Sequence, residues 1–172
     1  MRFWFSPIPY AVAGLLILAV LVALTLADSP RSRAWARWCI ALTVAALLAL
    51  TLLGSATGTG HPNLTPGWTV TQQLTNPYHP FGVANVLGNV AMFVPLGWLL
   101  ALVVERRRIL IAAAAGFGLS ATIEVVQWFT GRISDIDDVI LNGCGAVLGA
   151  CVAVGILAMR SRVGGQPAGV PR

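Results

Sequence analysis

Long apolar runs are the feature that most restricts how this chain can fold. No Asp, Glu, Lys or Arg occurs from residue 38 to residue 104, and further apolar runs lie on both sides of this segment. Crossing a bilayer takes about 20 consecutive apolar residues, and the backbone there must satisfy its own hydrogen bonds. The pattern therefore predicts an all-α fold, a polytopic integral membrane bundle of about five transmembrane helices. The first predicted helix covers 3–27, and the second covers the apolar residues from 38 up to a polar loop at 54–82. The other three cover 83–104, 109–130 and 139–159.

The composition excludes several classes of protein. Charged residues make up 10% of the chain, against about 25% in a typical soluble domain, which argues against a soluble enzyme or a disordered tail. The arginines do not form a basic patch with interleaved aromatic residues, so no nucleic-acid partner is predicted. Cys39, Cys144 and Cys151 lie in apolar runs, which disfavours a disulfide framework or a metal cluster. No cofactor and no metal site is predicted.

The arginines also predict the orientation. Nine of the 11 follow the first, third and fifth predicted helices, whereas Arg2 and Arg132 belong to the other side. Because cytoplasmic loops are enriched in arginine, the N-terminus is predicted outside and the C-terminus in the cytoplasm. Residues 1–159 would form a single membrane domain, and 160–172 a disordered cytoplasmic tail. A cleaved signal peptide is the alternative for the first helix, but it would leave three arginines outside, against the charge rule.

Polar side chains inside the predicted helices are the best indication of a site, because each costs free energy in lipid. Three helices each carry a pair spaced three or four residues apart, so each pair lies on one helix face. The pairs are Asn85 with Asn89, Glu124 with Gln127, and Asp138 with Asn142. Small residues continue these faces, including Gly145 and Gly149, a GxxxG pair that lets a neighbouring helix approach closely.

The polar pairs all lie toward the predicted outer ends of their helices, and the loop before the last helix adds an arginine and further aspartates. We therefore predict an outward-facing polar pocket. Its candidate residues are Asn85, Asn89, Glu124, Gln127, Arg132, Asp135, Asp137, Asp138 and Asn142. For any single residue, a hydrogen bond between helices or an interfacial ion pair of Arg132 with Asp135 or Asp138 is an equally good interpretation.

Known catalytic patterns are incomplete in this chain. Glu124 has the chemistry of a general acid or base, or of a group that binds amines and amides. The spacing of the aspartates from Asp135 matches the start of an EF-hand calcium loop, but Val139 occupies the position of the third ligand. A less regular Ca²⁺ or Mg²⁺ site remains an alternative. The absence of Lys excludes a P-loop. The only histidines, His61 and His79, lie in the polar loop, so no catalytic residues are assigned.

Three segments resemble the VanZ-like family of bacterial membrane proteins. They are GNVAMFVPLG, SATIEVVQ and RISDIDDVILNGCGAVLG, which fall within residues 85–153. The resemblance implies a multi-pass protein of the bacterial plasma membrane. The family is named for a member linked to low-level resistance to the glycopeptide antibiotic teicoplanin, and for most members no reaction is established.

Two functional hypotheses follow. In the first, the pocket binds an envelope component or a glycopeptide-type amphiphile, and the protein would have a role in antibiotic resistance. In the second, the protein is a membrane enzyme acting on a lipid-linked or head-group substrate at the outer leaflet. The partners would be membrane lipids together with a lipid-linked envelope precursor or a glycopeptide antibiotic. The loop at 54–82 is either a lid over the pocket or a mobile surface loop. The sequence predicts no oligomeric state.

Overall fold

The computed structural model of the chain describes residues 17–18, 20–27, 29–52, 62–76 and 81–164. These residues are helical apart from short connections and one isolated bridge between Asn63 and Asp135. The described part of α1 lies within residues 17–27. The later helices are α2 (Pro30–Leu52), α3 (Trp68–Thr75), α4 (Gly82–Val103), α5 (Arg108–Phe129) and α6 (Ile136–Gly164).

In the part of the chain that the structure describes, four helices are long and apolar enough to cross a membrane, namely α2, α4, α5 and α6. This confirms the prediction of an all-α, multi-pass membrane fold. Most of the first predicted span lies outside the described residues, and the side of the membrane that each end faces stays a prediction. The helix α6 continues to Gly164, five residues beyond the predicted end at Met159.

The second helix begins earlier in the chain than the predicted start at residue 38. The helix α2 begins at Pro30, so the three arginines at 31, 33 and 37 lie on its first turns. Ser29 and Ser32 explain why the helix begins here. The Ser29 N–H donates to the Ser32 hydroxyl at 2.8 Å, and the Ser32 N–H donates to the Ser29 hydroxyl at 3.1 Å. This reciprocal capping, followed by proline at the first helical position, satisfies backbone donors that a helix start leaves unpaired.

Close packing of α4 against α6 forms the centre of the bundle. A Cβ atom added to Gly145 would lie 2.1 Å from the carbonyl oxygen of Val90, and one added to Gly149 would lie 2.0 Å from that of Val94. Since real contacts of this kind are never so short, only glycine lets the two backbones approach to this distance. The predicted role of the GxxxG pair is thereby confirmed.

The face of α5 that carries the predicted pair Glu124 and Gln127 is buried in the bundle. Its small and polar residues are all buried: Gly116, Ser120, Glu124 and Gln127. Apolar side chains on other faces remain exposed in the isolated chain, such as Leu42 and Leu50 of α2, each 69% exposed. Exposed leucine on a membrane-spanning helix is the surface that lipid covers.

The two ends of the bundle differ in chemistry. At one end, which we call the arginine end, Arg33 pairs with Glu105 at 3.4 Å, and Arg160 donates to the carbonyl of Thr25 at 3.1 Å. At the opposite end, which we call the polar end, α4 and α6 begin and α5 ends. The segment 62–76, with the unpredicted helix α3, packs there, and Gly82 lies directly against the backbone of Gln73.

Candidate functional site: a buried polar network

Asp135 joins the segment 62–76 to the turn that precedes α6. Its carboxylate accepts a hydrogen bond from the Asn63 amide at 3.2 Å and another from the Thr69 hydroxyl. Two backbone bonds flank this contact: the N–H of Asn63 donates to Ser134 at 2.8 Å, and the N–H of Ile136 donates to Asn63 at 3.0 Å. Both carboxylate oxygens of Asp135 are therefore occupied within the protein.

Asp137 holds the first turn of α3. Its side chain is 2% exposed, and its two oxygens accept hydrogen bonds from the backbone N–H groups of Gly67 at 2.5 Å and Val70 at 3.1 Å. A helix start presents unpaired N–H groups and a positive dipole, so a carboxylate is well suited to this position. The helix α3 has no cap from its own residues, and Asp137, about 70 residues later in the chain, supplies one.

Glu124 is buried beneath the turn before α6, with 6% of its surface exposed. One of its oxygens, Oε2, accepts a hydrogen bond from the backbone N–H of Asp135 at 2.6 Å, and the Ser134 side chain also bonds to it. The charge of Arg132 lies near enough to interact with it. The carboxylate of α5 is thus held against the residues that open α6.

Asp138 faces the interior of the bundle and bonds to α4. Its carboxylate accepts a hydrogen bond from the side-chain amide of Asn89 at 2.5 Å. It also lies close enough to Glu124 and Asp135 for their negative charges to interact with its own. Side chains of α4 and α6 therefore bond to each other here, within electrostatic range of the α5 carboxylate of Glu124.

Asn142 lies one turn below Asp138 and carries an unpaired buried acceptor. Its side-chain N–H donates to the Ser120 hydroxyl at 2.8 Å, and that hydroxyl contacts the backbone carbonyl of Asp138 at 3.4 Å. Among the described residues, the carbonyl oxygen of the Asn142 side chain has no hydrogen-bond partner, although Asn142 is only 4% exposed. A buried polar atom without a partner costs about 1–3 kcal/mol, so it marks a place where a ligand, an ion or water would be stabilised.

Arg132 and Gln127 bond to the last turn of α2 instead of to an acid. Both donate to the backbone carbonyl of Thr51, Arg132 at 2.5 Å and Gln127 at 3.0 Å. Within the described ranges, no ion pair joins Arg132 to Asp135 or Asp138, so that alternative interpretation is wrong. The two side chains instead satisfy a carbonyl that a helix end leaves unpaired.

The structure brings eight of the nine candidate residues into this region. Asn85 is the exception, because it is exposed on the first turn of α4, while Asn89 one turn later joins the network. The other residues form a packed network, and an open depression of about 380 Å³ borders it, lined by Asn63, Thr65, Trp68 and Ile133. The depression opens beside the segment that Asp135 and Asp137 hold in place.

Several participants were missing from the candidate set. Asn63 and Thr69 lie in the loop that the sequence left without structure, and Thr51 takes part through its backbone, which no sequence pattern reveals. Ser120 was also missing, although it lies four residues before Glu124, the same spacing that links Asn85 with Asn89 and Asp138 with Asn142.

The donor and acceptor balance decides what the network is able to bind. Among the described residues, no group of three or more His, Cys, Asp and Glu side chains is arranged to hold a metal ion. The carboxylate of Asp138 interacts electrostatically with those of Glu124, Asp135 and Asp137, and the unpaired amide oxygen of Asn142 lies one helical turn away. Ligands that donate hydrogen bonds or carry positive charge complement such a set.

Comparison with known proteins assigns the chain to a family. The family model described as VanZ/LLP1 matches residues 14–158, which include every described transmembrane helix core and the whole polar network. No curated protein and no solved structure matches the chain. Because the match covers far more than half of the sequence, the chain belongs to the VanZ/LLP1 family of membrane proteins.

Proposed function

We propose that the polar end binds the head group of an amphiphilic cell-envelope component, such as a lipid-linked precursor or a glycopeptide-type antibiotic. The unpaired buried carbonyl oxygen of Asn142, one helical turn after Asp138 on α6, carries this proposal. A head group with amine, amide N–H or hydroxyl donors would pair with these acceptors and relieve the cost of the unpaired oxygen.

The segment 62–76 offers a route to this network. Asp135 and Asp137 hold it through a small number of hydrogen bonds, and the bordering depression exposes Trp68 and Ile133, 55% and 54% exposed. A ligand that donates to the same carboxylates would replace the bonds to the segment without leaving buried charge unpaired. An amphiphile would place its apolar part against the exposed side chains at the rim.

Family membership supports a role at the cell envelope. The family resemblance extends to a member linked to teicoplanin resistance, and a glycopeptide carries amines, amides and hydroxyls in one amphiphilic molecule. We therefore include a role in resistance in the proposal, with the protein located in the bacterial plasma membrane and the polar end facing outward. The arginine distribution supports this orientation.

One observation favours a second candidate function. Glu124 and Asp138 come from different helices and lie within electrostatic range of each other, so two groups with proton-transfer chemistry flank the same region. A membrane enzyme acting on a head group at the outer leaflet would use one carboxylate to remove a proton and the other to supply one. The Asn89 amide, bonded to Asp138, would orient that carboxylate.

Substitution of the two carboxylates tests both functions. In a strain that lacks the gene, Glu124→Gln and Asp138→Asn are expected not to restore the wild-type teicoplanin susceptibility or envelope lipid composition. Glu105→Gln is the matched control, because Glu105 lies at the arginine end with its side chain 79% exposed. Blotting and size-exclusion elution check that each variant is expressed and folded.

The outcomes separate the candidates. Full complementation by both folded network variants would contradict a functional role for the polar end. If deletion changes a covalent lipid species, the enzyme is supported. An altered susceptibility with an unchanged set of lipids supports binding.

A further inference from the structure

A second polar cavity lies at the arginine end, far from the network described above. It has a volume of about 180 Å³ and is lined by leucines of three helices together with Thr25, Ser32, Arg33 and Arg108. Two arginines and two hydroxyl-bearing residues therefore surround a space between α1, α2, α4, α5 and α6. The two hydroxyls already donate to the carbonyls of Leu21 and Ser29, so the guanidinium groups supply the charge and the donors that suit an anionic group such as a phosphate.

The start of α5 strengthens the positive potential of this cavity. Arg107, at the N-cap, has a left-handed backbone (φ 51°) and makes no capping hydrogen bond with its side chain. The first N–H groups of α5 therefore have no cap from the N-cap side chain, and a helix start carries about half a positive charge. Among the described residues Arg33 pairs with Glu105, whereas Arg108 has no acidic partner.

A separate apolar groove of about 270 Å³, which shares no lining residue with the cavity, lies farther from the arginine end. It is lined by Ile17, Leu21, Leu42, Pro95 and Leu99, among other residues of α1, α2 and α4. Its walls are almost entirely apolar, and it opens laterally, where lipid would surround the bundle.

The cavity and the groove lie along the same seam of the bundle. On α4, Leu102 lines the cavity while Leu99 and Pro95 line the groove, at spacings of three and four residues that keep all three on one face. The same holds on α1, where Leu24 lies one turn from Leu21. The most distant of these α4 residues, Pro95 and Leu102, are seven positions apart, which is about 10 Å along a helix.

We propose that this seam binds an anionic phospholipid of the leaflet at the arginine end. The phosphate group would occupy the cavity beside Arg108 and Arg33, and one acyl chain would occupy the groove. A free phosphate would use only the cavity, so the adjoining groove favours a lipid over a soluble anion. The site is separate from the polar end and does not depend on the function proposed for it.

The test compares lipids retained by the full-length protein. The protein is equilibrated in detergent micelles with equal amounts of dioleoylphosphatidylglycerol and dioleoylphosphatidylcholine, and bound lipids are counted by native mass spectrometry. Wild type is expected to retain phosphatidylglycerol preferentially. Arg108→Gln should lower this preference about fivefold, the effect of one arginine near an anionic head group. Arg33→Gln provides a second variant if Arg108→Gln does not fold.

Matched controls distinguish a defined site from general attraction. Arg106→Gln removes the same charge from an exposed position outside the cavity and should leave the preference unchanged. Leu42→Trp fills the groove and should reduce lipid retention, whereas Leu50→Trp, on the same helix and equally exposed at 69%, should not.

Three results would overturn the proposal. The first is equal retention of the two lipids by wild type, and the second is an equal loss of preference in Arg106→Gln and Arg108→Gln. The third is displacement of the bound lipid by millimolar glycerol 3-phosphate, which would show that the cavity binds a soluble phosphate and that the groove contributes nothing.

Discussion

Replacing Asp137 by alanine removes the carboxylate that caps α3 while leaving every transmembrane helix intact. The lost contacts are the hydrogen bonds from the backbone N–H groups of Gly67 and Val70. A hydrogen bond to a charged group contributes about 1.5–3 kcal/mol, so two of them contribute about 3 kcal/mol at the lower bound. The lower bound applies because Gly67 is exposed, and water replaces part of the lost bond.

The loss of this free energy increases the population of molecules in which α3 is detached. A loss of about 3 kcal/mol raises the opening equilibrium of the segment about 150-fold, because each 1.4 kcal/mol corresponds to a factor of ten. Asp137→Asn retains one neutral acceptor, and about half of the free energy would be lost. Opening of the same segment is then expected to rise about tenfold.

Hydrogen exchange of the protein in lipid nanodiscs measures this opening directly. Amides of residues 67–71 should exchange faster by these factors in the two variants, because local opening controls their exchange. Amides in the centre of α5, around Ile123, should exchange at the wild-type rate, since that helix is held by packing within the bundle. Glu105→Gln, an acid-to-amide change at the other end, should change neither region.

Two results would refute the reasoning. If exchange at 67–71 is unchanged in Asp137→Ala, the carboxylate does not hold α3. If exchange rises equally in α3 and α5, the substitution destabilises the whole bundle and Asp137 has no specific role at the segment.

Two further predictions concern packing and orientation. Gly145→Ala should lower the midpoint of thermal unfolding in detergent, because the added Cβ would overlap the α4 backbone and overpacking costs about 1–3 kcal/mol. Gly155→Ala is the control, since open space surrounds Gly155 and the midpoint should not change. Equal midpoints for the two variants would contradict the close approach of the helices. A reporter enzyme that is active only in the periplasm should be inactive when fused after Arg162, and activity there would contradict the predicted cytoplasmic C-terminus.

Membrane-spanning helices and their buried faces were predictable because both follow local rules. Helix length follows from the hydrocarbon thickness, and a face follows from residues three or four apart. Glu124 and Gln127, for example, are buried together on α5 as their spacing predicts. The same rule identified Gly145 and Gly149 as the contact with another helix without revealing that this helix is α4.

The helix α3 was not predictable because its stability comes from distant residues. Eight residues form too short a helix to be stable alone in water, and the composition of the loop is polar. The residues that hold it, Asp135 and Asp137, follow about 65 to 70 positions later. No pattern within the loop records those contacts, so the sequence left open whether it was a lid or a mobile surface loop.

Three neighbouring aspartates acquire different roles because a helix begins among them. Asp135 precedes α6 and lies in the extended bridge, where its side chain reaches the segment 62–76. Asp137 and Asp138 are successive residues of a helix and therefore point about 100° apart. Asp137 consequently faces α3, and Asp138 faces Asn89 within the bundle, on the same side as Asn142 one turn later. Of the three, Asp138 is the one that shares a face of α6 with Asn142 and its buried unpaired acceptor, which makes its substitution the most informative test of ligand binding at the polar end.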